Sequence, residues 1–362
     1  MLVRVVVPGV PRVSRRRSLY GMGVTVAGLH LLGWGALFAL VLPAIARFGG
    51  NPTVFLALAV SAYALGIRHA FDADHIAAID NATRRLISAG QQPVSVGFWF
   101  ALGHSTIVVT AVVLLVGGMN IFVGSTAGAP SALTQITDIW GAAISGLFLT
   151  AMGVLNFRSL RGLRALLARM RAGTDEEADL DHQLDKRGLL SRLLRPFTTM
   201  IIKPSRMFSV GLLFGLGLDT AASISLFVIA GLTTPNIPGY VLFVLPILFT
   251  AGMTLFDTTD GVIMNHIYGW ASLDPFRKIF YNLIVTGISV LIAFLIGGIG
   301  IITAITGIWK IQNGPLALIS HINLGTVGFG LVGLFTLIWA IAMVVKRNER
   351  NSDLPSQSTS SN

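Results

Sequence analysis

Eight stretches of this chain are long and apolar enough to cross a lipid bilayer, and no other feature restricts its fold so strongly. A bilayer core takes about 20 apolar residues of helix. The runs at 24–46, 53–80, 94–119, 137–157, 207–232, 238–264, 279–308 and 317–345 all reach that length. They lack the alternation over roughly ten residues that marks a membrane barrel strand. The expected fold is an all-α integral membrane protein of about eight transmembrane helices. Composition agrees: 53% of residues are hydrophobic and 12% charged, against about 25% charged in soluble domains. A soluble enzyme is excluded, and so is a disordered chain, which needs low hydrophobicity and high charge. With no Cys, disulfides, thiolate metal sites, Fe–S clusters and a thiol nucleophile are excluded as well.

The net charge of +10 reads as membrane orientation rather than nucleic-acid binding. Every Lys and Arg except Arg47 and Lys310 falls on one side of the eight-span alternation. Basic loops stay in the cytoplasm, so both termini are expected there, in a multi-pass protein of the plasma or inner membrane. Residues 1–23 form a basic tail, and 24–157 hold spans 1–4. A charged cytoplasmic connector at 158–206 joins two four-span halves, the second at 207–345, and 346–362 form a Ser-rich tail expected to be disordered. The connector carries Arg158, Arg161, Arg164, Arg169 and Arg171, then an acidic run from Asp175 to Asp185, and reads as solvated charge. The apolar run from Val24 exceeds the roughly 7–15 residues of a signal-peptide core, so it reads as an uncleaved first span.

Ionisable residues inside a membrane are functional candidates by default. Span 2 runs from apolar sequence straight into RHAFDADH, residues 68–75, and places His69, Asp72, Asp74, His75 and Asp80 at membrane depth. Span 3 adds His104, span 5 Asp219, and span 6 Asp257 and Asp260. Apart from Arg68 beside the cluster, no basic residue is expected within the spans, so a cation from outside the chain is the expected counter-charge. At about 100° per residue, His69, Asp72 and His75 share one face of an ideal helix, while Asp74 lies about 140° from His69. Local unwinding, common at mid-membrane sites in transporters, would bring Asp74 in. Two imidazoles and carboxylates on one face suit Zn, Cu, Fe or Ni. Single histidines such as His30 and His321 read as hydrogen-bonded packing, His266 as interfacial, and Asp80 as a helix end near Asn81.

The run RHAFDADHIAAIDN at 68–81 resembles the signature of the nickel/cobalt transporter family (NiCoT): a His, four residues, then Asp-His in the second span. GFWFALGHSTIVV at 97–109, GLGLDTA at 215–221, GMTLFDTTDGVIM at 252–264 and RKIFYNL at 277–283 are similar to further motifs of that family, in its order. The resemblance covers about residues 60 to 290. It departs at Ser223, where the family's fifth-span motif usually continues to a Glu. It implies uptake of Ni²⁺ or Co²⁺ through an eight-span fold. It also implies His69, Asp74 and His75 as metal ligands, with His104, Asp219, Asp257 and Asp260 in support. The transported ion is substrate, and no tightly bound cofactor is expected.

No GxxxxGK[ST] run is present, so a single-component carrier needing no ATPase is expected. Two other classes fit the motifs less well. An efflux carrier with the same site would more often carry a His-rich cytoplasmic loop, and the connector holds only His182. An intramembrane metalloenzyme would show HExxH or GxSxG, and neither occurs.

Overall fold

The computed structural model describes residues 15–116, 132–172, 201–216, 238–270, 275–324, 326–334 and 337. Among them every regular element is helical. Helix α1, Arg15–Ala36, passes through a wide turn at Leu37–Val41 into α2, Leu42–Arg47. Pro43 explains the wide turn. Proline has no N–H to donate and its ring crowds the preceding turn, and a bond from the Leu42 N–H back to the Leu37 carbonyl gives the chain the extra room.

Helix α3, Pro52–Ala70, starts on Asn51, whose side chain accepts from the Thr53 and Val54 N–H groups at 3.0 and 3.3 Å. Pro52 then fills the first turn, where no donor is required. The expected single span at 53–80 does not form. The chain closes α3 with tight bonds from Phe71 N–H to Arg68 and from Asp72 N–H to His69, both 3.0 Å. Asp72 is extended, at φ −66° and ψ 142°, and α4, Ala73–Ser88, begins after it. The break therefore lies between the two histidines of the span-2 cluster.

Three long helices follow: α5, Val96–Val116; α6, Ala132–Ala172; and, after the short α7, Met207–Phe214, the central α8, Val244–Trp270. Helix α9, Pro275–Trp309, and the short α10, Pro315–Ser320, follow, and residues 326–334 are helical as well. His69 packs on Phe249, Phe71 on Phe256, His75 on Asp257 and Ile79 on Gly261. Both halves of the broken helix thus run along α8 in the same sense. Helices α6 and α9 are antiparallel, with Gly146 against Gly297 and Gly300, and Gly153 against Ala293 and Phe294. Small residues let membrane helices approach this closely.

Among the described residues, six helical segments are long and apolar enough to cross a membrane: Arg15–Arg47, Pro52–Ala70, Val96–Leu114, Ile139–Gly162, Gly239–His266 and Thr286–Trp309. Each overlaps one of the eight expected spans. The other two, 207–232 and 317–345, lie partly outside the described residues. Helix α6 runs beyond the expected span end at 157, and Arg158, Arg161 and Arg164 lie on the same helix. Large apolar side chains face outward, among them Leu31, Leu40, Leu147, Leu291 and Leu295. Together with these helices, that exterior makes this a multi-pass membrane protein.

The interior is built around α4. Ile76, Ala77, Ala78, Ile79 and Ala82 are buried against Leu149 and Met152 of α6 and Ile292 and Ile296 of α9. A second buried cluster joins Phe55, Ala59 and Ala62 of α3 to Leu245, Leu248 and Phe249 of α8.

Candidate metal centre

The break in the second span sets the site. His69 is in the last turn of α3 and His75 in the first turn of α4, and α5 brings in His104. All three are buried, at 6%, 2% and 2% exposure. Their ring centroids lie 4.6–4.8 Å apart. One nitrogen from each falls within 4.8 Å of the others. His69 Nε2 and His104 Nε2 are 2.9 Å apart. Two nitrogens at about 2.0–2.1 Å from one metal ion and roughly at right angles would show about that separation.

Carboxylates stand behind the imidazoles. Asp72 Oδ2 is 3.2 Å from His69 Nδ1, and Asp257 Oδ2 is 3.4 Å from His75 Nδ1. An ionised carboxylate only accepts, so the ring nitrogen facing it carries the hydrogen. That leaves Nε2 of each ring with its lone pair for a metal, the arrangement in which a carboxylate orients a ligating histidine. Asp72 sits where a helix-capping residue would, yet makes no capping bond; its carboxylate turns to His69 instead. The site walls are aromatic, with Phe100 4.8 Å from the His75 ring and Phe249 5.6 Å from the His69 ring.

Of the residues expected from sequence, His69, His75 and His104 come together directly, and Asp72 and Asp257 contact two of them. Asp74 is half-buried, and its Oδ1 accepts from the His75 backbone N–H at 3.0 Å. Asp260 lies one turn beyond Asp257 on α8, and Asp219 lies outside the described residues. The buried atoms Asp72 Oδ1, Asp257 Oδ1, Asp260 Oδ2, Thr254 Oγ1 and Ser105 Oγ have no protein partner. Buried oxygens without a partner are costly, and a cation from outside the chain would satisfy them.

His30 bonds Val26 O at 2.8 Å and Tyr63 Oη at 3.1 Å, as its packing role anticipates. His266 is exposed, and so is His321, against the packing role expected of it. Two further expectations fail. Asp80 does not end a helix: α4 continues to Ser88, and Asp80 is 1% exposed in its interior. Arg84, just past the expected end of span 2 at residue 80, lies inside α4, 7% exposed and 3.6 Å from Asp80. The spacing of four residues between Asp80 and Arg84 was the available signal, since i and i+4 meet on a helix face. A buried hydrogen bond from Asn156 Nδ2 of α6 to Asn81 Oδ1 of α4, 2.7 Å long, carried no such signal.

A buried cluster of imidazoles at a broken membrane helix, braced by carboxylates and walled by aromatic rings, has the features of an intramembrane metal-ion site. The family described as NicO, high-affinity nickel-transport protein, matches residues 55–345. The chain is 45% identical to the nickel transporter NicT of Mycobacterium tuberculosis, over 93% of its own length and 92% of that protein's. It is 37% identical to the nickel transporter NixA of Staphylococcus aureus, over 88% and 90%. With the cobalt transport protein NhlF of Rhodococcus rhodochrous it shares 36% identity, over 92% and 93%. No solved structure matches. The chain belongs to the NicO family of high-affinity nickel-transport proteins.

Proposed function

We propose that this chain takes up Ni²⁺, with Co²⁺ as a second substrate, across the cell membrane, holding the ion on His69, His75 and His104 in transit. The observation that carries the reading is the convergence of three buried imidazoles from α3, α4 and α5 at the break in the second span. Relatives named for nickel and for cobalt support both substrates. Imidazole donors suit late first-row metals, whereas Mg²⁺, Ca²⁺ and Mn²⁺ favour all-oxygen sites.

The chemistry is ligand exchange. The ion sheds water as the ring nitrogens replace it, and Asp72 and Asp257 hold the rings in the tautomer that presents a lone pair. Asp74 and Asp260 extend a carboxylate-lined path that favours a cation, and the sequence adds Asp219 as a further candidate. The C-terminal end of α3, the negative end of its helix dipole, also favours a cation. In the same reading the chain crosses eight times, in two four-span halves, with both termini and the 158–206 connector cytoplasmic. The placement of Lys and Arg supports this orientation. The carrier works without a partner ATPase.

The test is accumulation of radioactive nickel by cells expressing the chain. Uptake from trace medium should exceed that of empty cells, and Co²⁺ should compete well while Mn²⁺ competes poorly. Accumulation equal to that of empty cells contradicts the proposal.

Asp257→Asn refines the picture in the same assay. The amide keeps the size and most of the hydrogen bonding but removes the charge. Loss of an outer partner of a metal site typically costs about 10–100-fold, so uptake should fall by roughly tenfold at trace nickel and recover in part at high nickel. Unchanged uptake at every concentration would reduce Asp257 to a tie between helices.

A further inference from the structure

Beyond the histidines, α4 and α8 carry a second polar cluster. Asp80 lies about 7.5 Å along α4 from His75, and Asp260 about 4.5 Å along α8 from Asp257, at about 1.5 Å per residue. The two helices run in the same sense, and Ile79 packs against Gly261, so Asp80 and Asp260, one residue from each, sit at the same level of the two helices. Oδ2 of Asp260 is buried with no protein partner. Arg84 stands on the other side of Asp80. Its Nε is 3.6 Å from Asp80 Oδ1 and donates to Ser289 Oγ at 2.8 Å. Its Nη1 donates to Thr286 Oγ1 at 3.1 Å. Among the residues whose burial is described, Arg84 is the one buried Arg or Lys.

Each part of this arrangement has a physical consequence. A guanidinium stays protonated at any relevant pH, so Arg84 is a permanent positive charge. Two hydroxyls of α9 fix its position, and the Asp80 carboxylate stands beside it. With Arg84 in place, Asp80 is compensated. Without it, Asp80 is a bare negative charge next to a second buried carboxyl group, and a buried charge left in that way draws a counter-cation.

We propose that Arg84 is the fixed counter-cation of Asp80, a positioning residue that stops Asp80 and Asp260 from capturing the transported ion after it leaves the histidines. The proposal rests on the reading of His69, His75 and His104 as the transport site. It assigns the second cluster to release: the ion meets there an aspartate already neutralised by Arg84, and is not retained.

The test uses the full chain, purified in detergent for equilibrium dialysis against Ni²⁺ and expressed in cells for nickel uptake. Wild type should bind one equivalent. Arg84→Met should bind a second and lose uptake by about tenfold, the low end of the effect of disturbing the surroundings of a metal site. Adding Asp80→Asn to Arg84→Met should return binding to one equivalent and restore most of the uptake. Ser289→Ala with Thr286→Val leaves the charge in place and should stay at one equivalent. Should Arg84→Met fail to reach the membrane, Asp80→Asn in the same chain should restore insertion, because it removes the orphaned charge.

One equivalent and normal uptake in Arg84→Met would overturn the proposal. So would failure of Asp80→Asn to rescue, or a second equivalent in the Ser289/Thr286 variant, since either makes Arg84 a structural tie only. No bound nickel in the wild type would instead strike at the histidine site itself, so the two failures are distinguishable.

Discussion

Replacing His104 with alanine is expected to abolish nickel uptake at trace metal while the protein stays in the membrane at wild-type abundance. His104 belongs to a different helix from the span-2 signature, yet its Nε2 lies 2.9 Å from that of His69. If the three rings hold the ion together, removing any one takes a ligand from an ion that has already shed its water. Disturbing an outer partner of a metal site typically costs about 10–100-fold, and a ligand itself should cost more than about a hundredfold. His69→Ala and His75→Ala should match it. Truncation at His104 does not open the helix contacts, because Gly103 and Gly211 set the approach of α5 and α7. Uptake beside membrane-fraction blots checks this. A His104→Ala protein that transports within a fewfold of wild type would reduce the site to the span-2 signature alone.

Gly103→Val should leave no folded protein in the membrane. A Cβ at position 103 would run into the backbone of α7 at Phe208, with Leu212 N 2.9 Å away. Backbone cannot rotate aside as a side chain does, so α5 and α7 must separate, and α5 carries His104. Forcing extra carbons into a packed interior typically costs about 1–3 kcal/mol and sometimes more; a clash with backbone belongs at the upper end. Gly287→Val on α9 is the control, because a Cβ there meets nothing within 4 Å. Fluorescence-detected size exclusion of detergent extracts should show an aggregate or no peak for Gly103→Val and a normal peak for Gly287→Val. Equal peaks would mean that the close crossing of α5 and α7 does not hold the fold.

How much of this was legible in the sequence varies residue by residue. The spans were readable because a bilayer demands length and apolarity, both local properties. His69, Asp72 and His75 were readable as a cluster because ionisable side chains are so rare in hydrocarbon. The ideal-helix geometry given to them was not correct, since α3 ends at Ala70 and α4 starts at Ala73. Their convergence survives because the break turns Asp72 back toward His69. The pairing of His75 with Asp257 depends on how α4 packs on α8, and no local pattern reports a contact between residues so far apart. Arg84 was misplaced for a different reason. A charge after Asp80 and Asn81 looks like the end of a span, whereas a buried arginine becomes tolerable once an aspartate one turn back and two hydroxyls on α9 satisfy it. Sequence shows the first of these partners and hides the second and third.

The central claim is that three imidazoles hold the transported ion at the broken helix. X-ray absorption at the nickel edge, on purified protein loaded with one equivalent of Ni²⁺, tests it most directly. The account predicts a nitrogen-containing shell with the outer-shell scattering of about three imidazole rings, consistent with metal–nitrogen distances of about 2.0–2.1 Å, and the loss of one ring in His104→Ala. A shell of oxygen ligands without imidazole scattering, unchanged by the His104 substitution, would contradict it.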